Sequence, residues 1–397
     1  ILSLSNASAR PIWIAKVMNL IGFGLSMQPN QLKAFTRRSG AWFPAWSTAK
    51  MIEFQELSWL RPAWNQVSAH WKSLSHGILI TGNSGIGKGH LALELTRLLL
   101  CTKPNEHQAC GQCASCQLLE NSVHPDLHVL VPETQIDNQP APIRRHASRY
   151  FMSEKGASST RKPSQVIGVD AVRLLSDSLA TKSGQAGRKL SLIMSADRLN
   201  ANSMNALLKL LEEPTADTYI ILVSARPYRL AATIRSRCIQ LECPTPGPEV
   251  VNSWLGGRHP DTPIDVLPFS RCGIGPLQIN GIIAAGEQGL FQGIIDKLNR
   301  PSLAGGNPLL LAQECSAVGI QTAMRILQHL ALAQMRQHAT GAWSSRFCSS
   351  QSTFLGRESC IQVFLEIGQF LVNPTGAVDE QLFLEDICTR ICERRES

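Results

Sequence analysis

From about residue 51 onward the chain alternates between short apolar runs and longer amphipathic stretches. Residues 77–81, Gly-Ile-Leu-Ile-Thr, form an uninterrupted apolar run, and an apolar stretch of helix length follows at 91–100. A run of four to eight apolar residues closed by turn residues predicts a strand buried on both faces, whereas the longer stretch predicts a helix. The pairing recurs. Residues 128–131, 189–194 and 219–223 read as further buried strands. Helices are predicted around 55–73, from 167–173 onward with Asp170 placed to cap the first turn, over 202–213 up to Pro214, and as helix and turn over 229–238. Strands alternating with helices predict a parallel sheet covered on both faces. Pro244, Pro246 and Pro248 then break the chain, and every later stretch with a period is helical. The clearest lies at 317–339, where Ile320, Ala323, Met324, Ile326, Leu327, Leu330, Leu332 and Met335 form an apolar stripe against Arg325, Gln328, Gln334 and Arg336.

Two stretches lack a period. Residues 1–50 hold three of the eight tryptophans (Trp13, Trp42, Trp46) and scattered basic residues. Residues 17–26 make only a weak signal core, with Lys16 before it and no clean cleavage site. The stretch reads as an N-terminal extension of unknown role, with Met51 a plausible start. Residues 133–166 are rich in Pro, Ser, Arg and Gln and predict a mobile insertion. Within 143–162, Arg144, Arg145, Arg149, Lys155, Arg161 and Lys162 face Glu154 alone. A solvated loop is the first reading of that charge run and an arm touching nucleic acid the second.

Composition narrows the class. A chain of 397 residues with 44% hydrophobic content sustains two or three domains with real cores. The net charge of +8 suits a partner that carries phosphate, and a solvated basic surface equally. The chain has no apolar stretch of spanning length, so no transmembrane helix or membrane partner is expected. Twelve cysteines are too few for a disulfide scaffold at this length, and four of them fall within residues 101–116; a reducing cytoplasm is the reading.

Two motifs carry chemistry. Gly82-Asn83-Ser84-Gly85-Ile86-Gly87-Lys88-Gly89 sits between the first strand and its helix, the context a phosphate-cradling loop requires. Gly82, Gly85 and Gly87 let backbone N–H groups crowd around an anion, the helix N-terminus adds its positive end, and Lys88 supplies a charge. Position 89, where a Ser or Thr hydroxyl would hold Mg²⁺, is glycine. A loop able to grip phosphate but not metal predicts a nucleotide-fold protein that does not itself hydrolyse nucleotide. The second motif is Cys101, Cys110, Cys113 and Cys116, spaced C-x8-C-x2-C-x2-C with Gly111 suited to a tight turn. Four thiolates at that spacing predict a closed structural Zn²⁺ site; an iron–sulfur cluster and unligated thiols are the alternatives, and His124 would be a surplus ligand.

The order of motifs adds a resemblance. The loop and the cysteine cluster are followed by His124-Pro125-Asp126, Gly168-Val169-Asp170-x-Val172-Arg173, Asn205-Ala206-Leu207-Leu208-Lys209-x-x-Glu212-Glu213-Pro214 and Ser236-Arg237-Cys238. Together they resemble the delta-prime subunit family of the bacterial DNA polymerase III clamp loader. The likeness is specific over 77–243 and weaker over 368–391, which includes Thr375-Gly376-Ala377-Val378-Asp379. It implies an α/β AAA+ P-loop core with a parallel sheet at 51–243, a small helical lid at 244–286 and an all-α collar at 287–397. It implies partners too: gamma/tau-type ATPase subunits and a delta subunit in a hetero-pentamer that loads a sliding clamp on primed DNA. Met194-Ser195 replaces the Asp-Glu of hydrolysing relatives, so ATP is expected to bind weakly or not at all and Mg²⁺ to find no ligand. By the same resemblance Arg237 is an arginine finger acting in trans on a neighbouring ATPase subunit. Ser236 and Cys238 position its turn, Ser224 stands at a sensor position, and Glu212-Glu213-Pro214 ends a helix at a subunit contact. Arg226 and Arg235 could face either an interface or DNA. Competing readings are an autonomous ATPase of the motor type and a zinc-stabilised DNA-binding protein without ring partners.

Overall fold

Five short strands, most of them too apolar to face water, form one sheet. They are β1 (Gly77–Thr81), β2 (Leu127–Leu130), β3 (Lys189–Ile193), β4 (Thr218–Ser224) and β5 (Ile239–Glu242), all parallel in the order β2-β3-β4-β1-β5. The computed structural model describes residues 52–392 except 137–138, 152–162, 186, 263, 299–305, 341–354 and 373–378. The N-terminal extension, Met51, the charges of Glu154, Lys155, Arg161 and Lys162, and the run Thr375–Val378 lie outside the described residues.

Parallel strands need long crossovers, and helices fill them. In the core these are α1 (Arg61–Ser68), α2 (Lys88–Leu100), α3 (Ala114–Glu120), α4 (Ala141–Ala147), α5 (Val169–Ala180), α6 (Ala201–Glu212) and α7 (Ala232–Ser236). Side chains alternate along a strand. Ile78 and Ile80 of β1 therefore pack with Leu91, Leu95 and Leu98 of α2 on one face, while Leu79 packs with Val172 and Leu175 of α5 and Leu207 and Leu211 of α6 on the other. Every residue of β1 and β3 is buried, as the continuous apolar runs require.

Four local expectations need correction. The helix expected at 55–73 is divided into 3-10 turns at Phe54–Glu56, Ser58–Leu60 and Trp71–Ser73 with α1 between them. Pro62 sits in the first turn of α1, where its missing N–H costs nothing, and could not lie deep inside one longer helix. Asp170 does not cap α5: Gly168 is the N-cap, with extended backbone, and Asp170 instead pairs with Arg173 at 3.3 Å on the surface. Strand β5 was not anticipated; only Leu241 of its four residues is buried, so its apolar signal is too short to read. Finally, 139–151 is not a mobile loop. It forms α4 and a 3-10 turn, Ser148–Tyr150, with Ile143, His146, Ala147 and Tyr150 buried against the β2 side of the core and Arg144, Arg145 and Arg149 exposed. His146 Nε2 reaches His124 O at 3.1 Å, and Tyr150 OH meets His128 Nδ1 at 2.7 Å. Three scattered apolar residues were enough to anchor a segment whose composition looked solvated.

Everything described beyond β5 is helical: α8 (Pro248–Arg258), α9 (Leu267–Arg271), α10 (Pro276–Ala284), α11 (Gln288–Leu298), α12 (Pro308–Ala317), α13 (Ile320–Thr340), α14 (Arg357–Val372) and α15 (Glu380–Cys392). The fold is thus a parallel α/β core followed by an all-helical region. The α13 stripe is buried at Ala323, Met324, Ile326, Leu327 and Leu330, but Leu332 and Met335 are only partly covered. Gln334, expected on the polar face, is buried because its Oε1 accepts the backbone N–H of Leu355 at 3.1 Å. Among the described residues no helix is long and apolar enough to cross a membrane.

Candidate nucleotide and metal sites

The phosphate loop leaves the carboxyl end of β1, between β4 and β5, where open α/β sheets bind ligands. Gly82 (φ 138°) and Gly87 (φ 100°) hold backbone conformations that a side chain would resist. Lys88 opens α2 but is itself buried. Its Nζ donates to Asn83 O at 2.6 Å, and burial pushes its pKa down to about 8, against the opposing pull of Cys243 and Asp197.

The two positions that would handle a cation face each other. A Cβ at Gly89 would stand 2.9 Å from the Met194 methyl, so the thioether fills the space beside the missing hydroxyl. Ser195, at φ 56°, turns its hydroxyl away and donates to Gln135 Oε1 at 2.7 Å. The nearby carboxylate is Asp197, which sequence reasoning missed. It is buried in the 3-10 turn Ala196–Arg198 and accepts from Ser224 Oγ at 3.1 Å. Ser224 also accepts from Arg226 N at 3.0 Å, so the residue at the sensor position ties two turns together.

Other parts of the chain sit on the loop. Leu277 N donates to Gly85 O at 2.9 Å and Trp59 Nε1 to Ile86 O at 2.8 Å. Together with Lys88 they occupy the loop's carbonyls, acceptors that a phosphate cannot use. The α10 start comes so close that a Cβ at Gly275 would lie 2.2 Å from Ser84 O. Gly275 has an ordinary φ of −80°, so close approach alone demands glycine there. Gly275→Ala is expected to lift α10 off the loop and cost about 1–3 kcal/mol, as overpacking does; denaturant unfolding that matches the unsubstituted chain would refute this contact.

Arg237 stands at the other end of the sheet. It ends α7, with its carbonyl 2.9 Å from where a Gly77 Cβ would be, at the start of β1. Cys238 is buried beside Gly77 and fixes the turn, and Ser236 Oγ donates to Thr233 O at 3.1 Å. The Arg237 guanidinium is exposed, with NH2 on Glu212 Oε1 at 2.7 Å and NH1 on Thr233 O at 3.0 Å. The five residues of β1 separate this turn from the chain's own phosphate loop, about 15 Å at ~3.3 Å per residue. Whatever Arg237 does to a bound phosphate, it cannot do on its own loop. Arg226 is engaged within the chain, donating from NH1 to Leu371 O at the end of α14 at 2.9 Å.

The four cysteines converge. Cys101 closes α2, Cys113 caps α3, and the sulfurs of Cys101, Cys110, Cys113 and Cys116 lie within 4.8 Å of one another. Backbone N–H groups of Cys110, Cys113 and Cys116 point at the preceding sulfurs at 3.3–3.5 Å, and Gly111 takes φ 70° to turn the knuckle. Burial pushes the Cys113 thiol up, but hydrogen bonds from Thr102 and Cys116 outweigh it and bring it down to about 5. The group can hold a metal ion such as zinc. His124 is not a ligand. Its Nδ1 accepts from Asp126 N, so Nε2 carries the proton and donates to Ser115 Oγ at 2.8 Å, which in turn donates to Leu100 O at 2.6 Å. This chain of bonds fastens the knuckle to the core, and burial keeps His124 neutral with a pKa of about 4.

A glycine-rich loop after the first strand of a parallel α/β core, with its cation side filled by Met194, defines a P-loop-type protein carrying a cysteine knuckle and a helical C-terminal region. Residues 64–246 match the family described as DNA polymerase III, delta subunit. The chain is 37% identical over 209 residues to the DNA polymerase III subunit delta′ of Pseudomonas aeruginosa, covering 53% of this chain and 55% of that protein. It is 35% identical over 200 residues to the Escherichia coli delta′ (50% and 51% covered) and 31% identical over 245 residues to that of Yersinia pestis (59% and 64% covered). Over about half its length the chain is similar to DNA polymerase III delta′ subunits, and it spans about half the length of the relatives it matches. A gamma subunit-related protein of Thermotoga maritima aligns in structure over 84% of this chain and 99% of its own, at 15% identity and a TM-score of 0.43.

Proposed function

We propose that this protein is a non-hydrolysing subunit of a clamp loader. It would join gamma/tau-type ATPase subunits and a delta subunit in a ring that places a sliding clamp on primed DNA, and would present Arg237 to the nucleotide of a neighbouring subunit. The observation that carries the reading is the separation of Arg237 from its own loop: an exposed guanidinium at the opposite end of β1, usable only by another chain. A second observation agrees. With Gly89 and Met194 packed together and Ser195 turned to Gln135, the loop keeps phosphate-facing glycines and Lys88 but offers no group to hold Mg²⁺. In this reading Glu212 parks Arg237 until a neighbour's phosphate replaces the carboxylate. A half-exposed ion pair is worth about 0–1 kcal/mol, so the exchange is easy.

The domain scheme follows the same reading: a core at 51–243 with its knuckle at 101–116, a lid at 244–286 whose α10 sits on the phosphate loop, and a collar at 287–397. We assign the knuckle to structural zinc. Zn–S bonds near 2.3 Å place sulfurs of one tetrahedron about 3.8 Å apart. The Cys101 sulfur lies 3.5 Å from that of Cys110 and 3.9 Å from that of Cys113. An iron–sulfur cluster spreads its thiolates over several irons and needs them further apart.

Co-expression tests the assignment. The chain is expected to co-purify with the ATPase and delta subunits in one complex and, alone, to show no Mg²⁺-dependent ATP turnover. Turnover by the isolated chain that disappears in Lys88→Ala would replace this reading with an autonomous ATPase. Tight, DNA-dependent function without ring partners would replace it with the zinc-stabilised DNA-binding protein.

A further inference from the structure

We propose, resting on the zinc assignment above, that the knuckle is also a site of reversible oxidation: a peroxide joins Cys110 to Cys113 and releases the metal, while Cys101 and Cys116 stay reduced. Thiol oxidation selects sulfurs that are both deprotonated and accessible. A metal-bound cysteine is already a thiolate, so access alone decides among the four. Among the described cysteines only Cys110 and Cys113 are partly exposed, and every other is buried. Cys315 of α12 and Cys388 of α15 are thiols too, but neither has any exposed surface for an oxidant to meet. The backbone agrees with this division. Cys101 closes α2 and Cys116 lies inside α3, whereas Cys110 and Cys113 sit in the irregular stretch between the two helices.

The two exposed sulfurs lie within 4.8 Å of each other, and Cys113 N donates to Cys110 Sγ at 3.4 Å. A disulfide needs about 2.05 Å, so the turn between them must tighten. It is free to do so. Gly111 and Gln112 are both exposed, and a Cβ at Gly111 would meet nothing within 4 Å. Cys101 Sγ is also near, at 3.5 Å from Cys110 Sγ, but it is held by a helix whose leucines are buried in the core. The chemistry balances in two steps. One thiolate attacks the peroxide: an S–O bond forms, the O–O bond breaks, and hydroxide leaves to take a proton as water. The second thiolate attacks the sulfenic sulfur: the S–S bond forms, the S–O bond breaks, and a second water results. The sulfurs give up two electrons and the peroxide accepts them. With two of four thiolates spent the site can no longer close around zinc. A dithiol reverses the change, because the loop before Cys110 is seated without the ion. Asn105 and Gln108 exchange backbone bonds at 2.9 and 2.7 Å, Trp71 Nε1 donates to Glu106 O at 2.9 Å, and His107 Nδ1 donates to Ser68 O at 2.9 Å.

The test uses the purified full-length chain, reduced and zinc-loaded, with Cys348→Ser because Cys348 lies outside the described residues. Hydrogen peroxide is titrated in while a colorimetric chelator reads free zinc and differential alkylation with mass spectrometry reads each thiol. Zinc release is expected to run in step with the loss of two thiols per chain. Cys110 and Cys113 should be protected from alkylation until reduction, and Cys101 and Cys116 should alkylate at once after denaturation. Dithiothreitol followed by zinc should restore the full metal content. Absence of zinc from the reduced chain would remove the zinc assignment and this site with it, with the clamp-loader reading intact. Zinc retained through peroxide that oxidises a free cysteine peptide would overturn the oxidation site alone. So would a bridge that takes Cys101 or Cys116, or sulfinic acid without any bridge. Release that appears only as circular dichroism shows the chain unfolding would overturn it as well, since access would then owe nothing to the folded knuckle.

Discussion

Arg237→Ala is expected to fold, bind its partners and yet depress DNA-stimulated ATP turnover of the reconstituted loader, by about 10³–10⁵-fold at the one active site that faces this chain. The magnitude follows from what a guanidinium does there: it neutralises charge that develops on the transferred phosphoryl group. Folding should be spared because the side chain is exposed and its partner Glu212 is also at the surface. Arg237→Lys should rescue poorly, since an ammonium lacks the planar fork that fits phosphate oxygens. Glu212→Gln separates positioning from chemistry. It removes the parking carboxylate while leaving the guanidinium, and should change the nucleotide concentration dependence more than the maximal rate. Steady-state turnover of the complex at saturating primed DNA is the measurement. Turnover in Arg237→Ala equal to that of the unsubstituted complex would remove Arg237 from the reaction.

Removal of the knuckle's metal is expected to have the second large effect. One zinc per chain should be found by metal analysis, and Cys113→Ser should lose it. Structural zinc contributes about 10–16 kcal/mol of apparent binding free energy in small modules, comparable with the whole stability of many domains. Here the loss should stay local. Cys101 ends a helix whose leucines are buried in the sheet core, and Ser115, His124 and the bond from Trp71 Nε1 to Glu106 O at 2.9 Å tie the knuckle to structure that does not depend on the ion. Hydrogen exchange should accelerate across 101–120 on chelation while β1, β3 and β4 stay protected. Protection across 101–120 that survives complete metal loss would show that packing alone holds the knuckle.

The strands and most core helices were legible because burial on both faces forces apolar runs that little else in a soluble chain produces. Residues 77–81 and 189–194 are unmistakable for that reason. Strand β5 was not legible: as an edge strand it exposes Ile239, Gln240 and Glu242, and one buried leucine carries no pattern. Helix α4 was hidden by its charges, since Arg144 and Arg145 occupy the exposed face while Ile143 and His146 do the anchoring. Gln334 broke the amphipathic reading of α13 because a buried amide is stable once a backbone partner, Leu355 N, is supplied from far along the chain.

The candidate sites divide in the same way. Glycines at 82, 85 and 87, the four cysteines, and the identities of residues 89, 194 and 195 are matters of residue type, and the chain alone determines which chemistry they can support. Their arrangement is a matter of distance between residues remote in sequence, which pattern cannot encode. Only the folded chain brings the Met194 methyl over Gly89, seats α10 on the phosphate loop and parks Arg237 on Glu212. Only the sheet, with its strands all parallel, decides that the loop and Arg237 lie at opposite ends of β1. Local propensity is set within a few residues, whereas which edge a side chain reaches is set by how the crossovers close around a common core.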